Sequence, residues 1–207
     1  MMTSNLWLDV ETFSRACDVR MRLVPGWVPD DELQLALSLV AEELSELDSA
    51  LEVRDIVETA DAVADSLYVL AGLALRLGVA RRFVTDFLKA PIHGITIGFT
   101  ALTGEDIRSV REDLESAHAC ILDAAHDRNL IRIDNAIHDA MYGVAGVGYM
   151  LGLPLQAVWD EVQRSNLAKL VGGIAIRRPD GKVMKPNGWT PPDIAGVLGV
   201  HSWSEAA

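Results

Sequence analysis

Apolar residues recur at helical spacing through most of the 207-residue chain. From residue 4 to 22, Leu6, Val10, Phe13, Ala16 and Cys17 share one stripe, with Ser4 placed to cap it. The run Val24-Pro25-Gly26-Trp27-Val28-Pro29 breaks the pattern. Asp30 or Asp31 then opens a second helix to about Val53, with Leu33, Leu37, Val40, Leu44, Leu47 and Leu51 inward. Asp55 starts a third, which ends at Gly78, where a left-handed residue is expected. A short amphipathic piece, Arg81 to Lys89, and a Gly/Thr-rich stretch, Pro91 to Gly104, follow. Thr103 and Asp106 form a capping box for a helix to about Asp127. Further helices are predicted from about Ile133 to Leu151, and from Pro154, a favoured first-turn residue, to about Leu170. Beyond Gly172 the pattern changes to two short strands around a Pro179-Asp180-Gly181 turn. Pro186, Pro191 and Pro192 exclude a helix over the segment from Lys185 to Ile194, leaving an ordered irregular tail.

The pattern repeats. Shifted by 74 positions, Asp61-Ala-Val-Ala-Asp65-Ser-Leu-Tyr68-Val-Leu-Ala-Gly72 falls on Asn135-Ala-Ile-His-Asp139-Ala-Met-Tyr142-Gly-Val-Ala-Gly146. Leu77-Gly78 likewise falls on Leu151-Gly152, and Val84 and Asp86 on Val158 and Asp160. Upstream, a shift of 70 places Val40-Ala-Glu42-Glu43-Leu44 on Val110-Arg-Glu112-Asp113-Leu114, the difference being absorbed by the turn between helices. These matches predict an all-α single domain: a helical bundle of two tandem hairpin repeats, roughly 31 to 90 and 105 to 170, with a short hairpin and tail after it. Glu46 becomes Ser116 and Asp61 becomes Asn135, so chemistry that needs converging carboxylates belongs to repeat 1.

Half of the residues are apolar and 23% are charged, enough for a sizeable core. The net charge of −12 excludes a broad basic surface for duplex nucleic acid. Cys17 and Cys120 lack any metal or disulfide spacing, and no apolar run is long and uninterrupted enough to span a bilayer. With acids where a signal peptide carries bases, the chain is read as cytoplasmic. The acidity is local. From 31 to 65, eleven acids face Arg54 alone, whereas from 164 to 185 six bases face only Asp180.

Glu43 and Glu46, three apart, share a helix face, as do Asp61 and Asp65, four apart on the next helix. If the helices are antiparallel neighbours, the pairs meet at one level. Four converging carboxylates repel unless a cation joins them. An all-oxygen set selects Mg2+ or Mn2+ over zinc, and the Glu-x-x-His pairs of a di-iron bundle are missing. His138, beside Asp139 in repeat 2, is read as an ordinary surface or core histidine.

The spacing Glu42-Glu43-x-x-Glu46, then Asp61-x-x-x-Asp65-x-x-Tyr68, resembles the MazG-like all-α nucleoside triphosphate pyrophosphohydrolases, relatives of dimeric dUTPase and phosphoribosyl-ATP pyrophosphohydrolase. A second block, Glu161-Val-Gln-Arg164-Ser-Asn166-Leu-Ala-Lys169 and Asp180-Gly181-Lys182-Val-Met-Lys185-Pro186-Asn-Gly-Trp189-Thr-Pro191-Pro192-Asp193, looks like the C-terminal block of a phage and bacterial branch. The resemblance covers about residues 10 to 195, with 91 to 104 unmatched. It implies that Glu43, Glu46 and Asp65 hold Mg2+ around a triphosphate. The family's second-helix glutamate falls at Ala62, leaving Asp61, or its rival Glu58, to replace it.

The implied reaction is hydrolysis of a nucleoside triphosphate between the α and β phosphates. Metal ions on Glu43, Glu46, Asp61 and Asp65 would activate water, with Glu42 and Glu46 in catalytic roles and Glu42 the candidate base. Lys169, Lys182, Lys185 and Arg164 are candidates to clamp phosphates, Asn166 to donate a hydrogen bond and Trp189 to stack on the base. Two alternatives stand: a pyrophosphohydrolase acting on a non-standard substrate such as a phosphoribosyl nucleotide, and a non-catalytic assembly or regulatory bundle. One active site per chain is expected, and a homodimer is left open.

Overall fold

The computed structural model describes residues 5–79, 87–88, 96–178 and 182–200. Among them are seven α-helices and one two-stranded sheet. Helix α1 spans Leu6–Ala16, shorter at both ends than its stripe predicts. Asn5, rather than Ser4, caps it by accepting from the backbone N–H of Trp7 and Leu8, and the chain leaves the helix where Asp18 takes φ +49°. Helix α2 runs Asp30–Val53 after Pro29, so Asp30 is its first residue and not its cap. Its six predicted inward positions are all buried.

Helix α3, Ile56–Leu77, begins where the Asp55 carboxylate accepts from the N–H groups of Val57 and Glu58. It ends at Gly78 with φ +66°, where an added Cβ would lie 2.4 Å from the Val24 carbonyl oxygen. Helix α4, Gly104–His126, starts on the complete Thr103/Asp106 capping box. Helix α5 covers Leu130–Met150; it starts three residues before the apolar pattern indicates, because Asn129 caps it after Arg128 turns at φ +51°. Helix α6 is Leu155–Leu167, with Pro154 flanking it rather than lying in its first turn.

Helix α3 is the centre of the bundle: Leu67, Leu70, Ala71, Leu73, Ala74, Leu75 and Leu77 are fully inaccessible. It packs on α2, α5, α1 and α6, while α4 closes the second hairpin against α5 and touches α2. The side-chain contacts of the two hairpins correspond in part. Phe13 meets Tyr68 edge-on at 5.9 Å, and Phe87 meets Tyr142 edge-on at 5.6 Å, 74 positions later. Tyr68 is also stacked on Trp159 at 5.3 Å and donates to Gln163, which buries it; Tyr142 stays 52% exposed.

After α6 the strands β1, Leu170–Val171, and β2, Ile174–Ala175, pair antiparallel around Gly172-Gly173, both at positive φ. A further bridge joins Arg177 to Val183. The expected Pro179-Asp180-Gly181 turn lies outside the described residues, as does the Arg81–Lys89 piece apart from buried Phe87 and Leu88. The tail is not wholly irregular. Helix α7, Ile194–Leu198, follows the last proline, capped by the Asp193 carboxylate and closed by Gly199, and packs on α6 and α3. Among the described residues no single helix is long and apolar enough to cross a membrane.

Candidate functional site

The acids of the two central helices turn toward one region. Leu44 and Leu47 anchor α2 in the core, so Glu43 and Glu46, on adjoining faces, come to its edge; Glu43 is partly buried and Glu46 exposed. On α3, buried Ala62, Val63 and Ala64 leave Asp61 and Asp65 on a partly buried edge.

Electrostatics show how closely these groups are associated. Burial pushes the Glu43 carboxyl up to about 8, with the charges of Asp65, Glu46, Glu42 and Asp61 adding to it. Asp61 is raised to about 7 by burial and by Asp65, Glu58 and Glu46, against the opposing Lys169. Asp65 reaches about 6 because burial outweighs the pull of Lys169 and Lys185. One Asp61 carboxylate oxygen, Oδ1, is buried without a hydrogen-bond partner. Asp61 is partly buried like Glu43 and Asp65, whereas Glu58 is exposed and adds its charge to that of Asp61. The side chains do not close into a cage. Among the described residues, no three His, Cys, Asp or Glu groups stand in a metal-holding arrangement.

The basic block faces these acids. Lys169, partly buried after the end of α6, has its pKa lowered by desolvation and partly restored by Asp65, Glu43 and Asp61. Its Nζ donates to Asn166 Oδ1 at 2.7 Å. Buried Asn166 lies beside the Tyr68 hydroxyl, which donates to Gln163 Oε1 at 2.9 Å. This ties the ammonium to the packing of α3 and α6. Lys185 lies 4.1 Å from the centre of the Trp189 ring, and Lys169 lies 5.8 Å from it. Trp189 Nε1 donates to the Ser165 carbonyl at 3.0 Å.

The remaining predicted residues have structural partners. Glu42 is exposed and accepts from Lys182 Nζ at 2.7 Å. Arg164 makes a bidentate pair with Glu161 at 2.9 and 2.8 Å and donates to Thr190 Oγ1 and the Pro191 carbonyl, so its guanidinium fixes the tail to α6. Glu43, Glu46, Asp61, Asp65, Lys169 and Lys185 thus belong to one electrostatic neighbourhood, with Trp189 bordering its lysines.

Sequence reading missed Gln163, and Asp9, which accepts from Trp159 Nε1 at 2.9 Å. Gln163 holds Tyr68 across 95 positions and Asp9 holds Trp159, on which Tyr68 stacks, across 150, and no local pattern signals a contact at that separation. His138 is partly buried against Phe87 and Tyr142, an ordinary packed histidine.

Two grooves lie elsewhere on the bundle. One of 490 Å³ between α2 and α4 includes Asp48 and Arg111, joined by two hydrogen bonds. Another, of 590 Å³, lies between α4 and α5 and is lined by Asp113, Ser116 and Asp139. These are the positions onto which the sequence shifts carry Glu43, Glu46 and Asp65.

Residues 10–90 match the family model for phosphoribosyl-ATP pyrophosphohydrolase, a stretch that contains α2, α3 and all four carboxylates. An uncharacterised protein of Acanthamoeba polyphaga mimivirus is 23% identical over 147 residues, covering 67% of this chain. The aligned stretch spans 59% of that relative's length. With an all-α hairpin carrying the paired acids inside the matched stretch, residues 10–90 are similar in sequence and in helical architecture to a phosphoribosyl-ATP pyrophosphohydrolase domain, of the MazG-like all-α nucleoside triphosphate pyrophosphohydrolase superfamily.

Proposed function

We propose that this protein hydrolyses a nucleoside triphosphate, ribo- or deoxyribo-, to the monophosphate and pyrophosphate in a Mg2+- or Mn2+-dependent reaction. The observation that carries the reading is the group Glu43, Asp61 and Asp65: three partly buried carboxyls on adjacent helices, each raised by burial and by neighbouring acids. Acids kept in this condition are destabilised as anions until a cation arrives. The donor set fits a hard divalent ion, being all oxygen, with Asp61 Oδ1 buried and unpartnered. Glu43, Glu46, Asp61 and Asp65 would hold it. Bound there, such an ion neutralises phosphate oxygens and lowers the pKa of an attacking water.

The protein's own groups supply positioning and compensating charge. Lys169, held by Asn166 beside Asp65, and Lys185, held over Trp189, place two ammonium groups at the edge of the acidic face, where a polyphosphate needs them. Trp189, half-buried beside these lysines, offers an aromatic ring for a base to stack on. We place one site per chain, in the first of two related hairpins, because Ser116 and Asn135 replace the corresponding acids in the second. The compartment we assign is the cytoplasm, where nucleoside triphosphates are found.

The family model's own description favours one second reading, in which the triphosphate belongs to a phosphoribosyl nucleotide. Pyrophosphate release measured over ribo- and deoxynucleoside triphosphates and phosphoribosyl-ATP, with Mg2+ or Mn2+, separates the two. No turnover of any substrate, together with no metal-dependent rise in melting temperature, would end the enzymatic reading.

A further inference from the structure

We infer that Glu42 and Lys182 form a latch that holds the tail across the acidic face of α2 and α3, making Glu42 a positioning residue and not a proton acceptor. The inference rests on the reading of that face as the reactive site. Glu42 immediately precedes Glu43 but points to the exposed side of α2. There its Oε1 accepts from Lys182 Nζ at 2.7 Å, across 140 positions of sequence. The two side chains are 43% and 47% exposed, so the pair forms and opens in contact with water.

Lys182 is well placed for this role. Its carbonyl accepts from the Arg178 N–H at 2.9 Å, and the Met184 N–H donates to Ile176 at 2.7 Å, which stiffens the strand that carries it. Three residues on, Lys185 packs over Trp189. Beyond it the segment is fastened to α6: Trp189 donates to the Ser165 carbonyl, Ser165 Oγ donates to the Thr190 carbonyl, and Arg164 donates to the Pro191 carbonyl. One end of the 182–191 segment is thus fixed to α6 and the other is tied to α2 by the Glu42–Lys182 pair. The segment bridges the face on which Glu43, Asp61 and Asp65 lie. Closing it sets Lys185 and Trp189 in register with those acids. A carboxylate occupied in this way is poorly disposed to take a proton from water at a phosphate.

Hydrogen exchange of the 182–190 amides and steady-state kinetics test the latch on four proteins: wild type, Glu42→Gln, Lys182→Gln and the double reversal Glu42→Lys with Lys182→Glu. Each single variant is expected to speed exchange in this segment and to raise KM about two- to fivefold, the range of an exposed ion pair, with the change falling on KM rather than kcat. The double reversal is expected to restore slow exchange. Exchange at the wild-type rate in Glu42→Gln would overturn the latch, and a kcat down tenfold or more beside it would make Glu42 a base. A double reversal that leaves exchange fast would also overturn the latch. Exchange decides the latch even if no nucleotide is turned over, so its failure and that of the proposed reaction are distinguishable.

Discussion

Replacing Glu43 by Gln is expected to stabilise the metal-free protein, the reverse of the usual effect of altering a partly buried polar residue. The Glu43 carboxyl is displaced from its ordinary 4.5 to about 8, chiefly by burial and then by Asp65, Glu46, Glu42 and Asp61. Each pH unit of displacement corresponds to about 1.4 kcal/mol between the protonation states, so the ceiling for one group is about 5 kcal/mol. Because neighbouring acids share the displacement and relax when one is neutralised, about 1–3 kcal/mol is expected.

The sign follows from the direction. A folded-state value above the unfolded one gives a stabilising contribution that is complete below pH 4.5 and lost as pH rises through 8. Wild-type protein in chelator should therefore lose stability between pH 5 and about 8 more steeply than Glu43→Gln. At pH 8 the variant should melt higher by roughly 2–4 °C per kcal/mol. Millimolar Mg2+ should raise the melting temperature of wild type and have little effect on the variant, reversing their order. Thermal melts from pH 5 to 9, with and without metal, read all three effects. A metal-free Glu43→Gln that melts lower than wild type, or that keeps the wild-type pH slope, would refute the argument by showing that the carboxylate is favourably paired in the fold.

Other outcomes follow from the same neighbourhood. Asp65→Asn and Glu46→Gln should each lower pyrophosphate release by about a hundredfold or more with the fold retained, as judged by circular dichroism. Lys169→Met should destabilise the metal-free protein by about 1–2 kcal/mol at pH 8 by leaving Asp65 uncompensated. Adding Asp65→Asn should recover most of that loss in a denaturant titration. Tyr68→Phe should cost about 1–2 kcal/mol by leaving buried Gln163 without its hydroxyl partner, measured by urea unfolding. Isothermal titration should find metal sites on the first hairpin alone, so Asp139→Asn should leave metal binding unchanged.

Much of the fold is legible in the sequence because it follows from local rules. The Asp55 cap, the Thr103/Asp106 box, the glycine ending α3 and the leucine stripe of α2 each act within a few residues, and each was read at the position where it occurs. Errors fell where two local signals compete. Asn5 displaced Ser4 as the cap of α1, Asn129 started α5 early, and Asp193 nucleated α7 in a segment whose prolines concealed it.

The candidate site divides in the same way. Helical spacing alone sets Glu43 with Glu46 and Asp61 with Asp65, and their residue types select an oxygen-loving cation. That Asp61 is partly buried while Glu58 is exposed depends on which face of α3 packs into the core. The fates of the basic residues depend on packing: Arg164 is taken up by Glu161 and the tail, Lys182 by Glu42 at the edge of the acidic face, while Lys169 and Lys185 lie against Asp65. Sequence by itself determined the helices, their register and the supply of charges, since these depend on neighbours three or four residues apart. Tertiary structure alone decided which charges meet, because pairing across 140 positions depends on packing that brings the tail over α2.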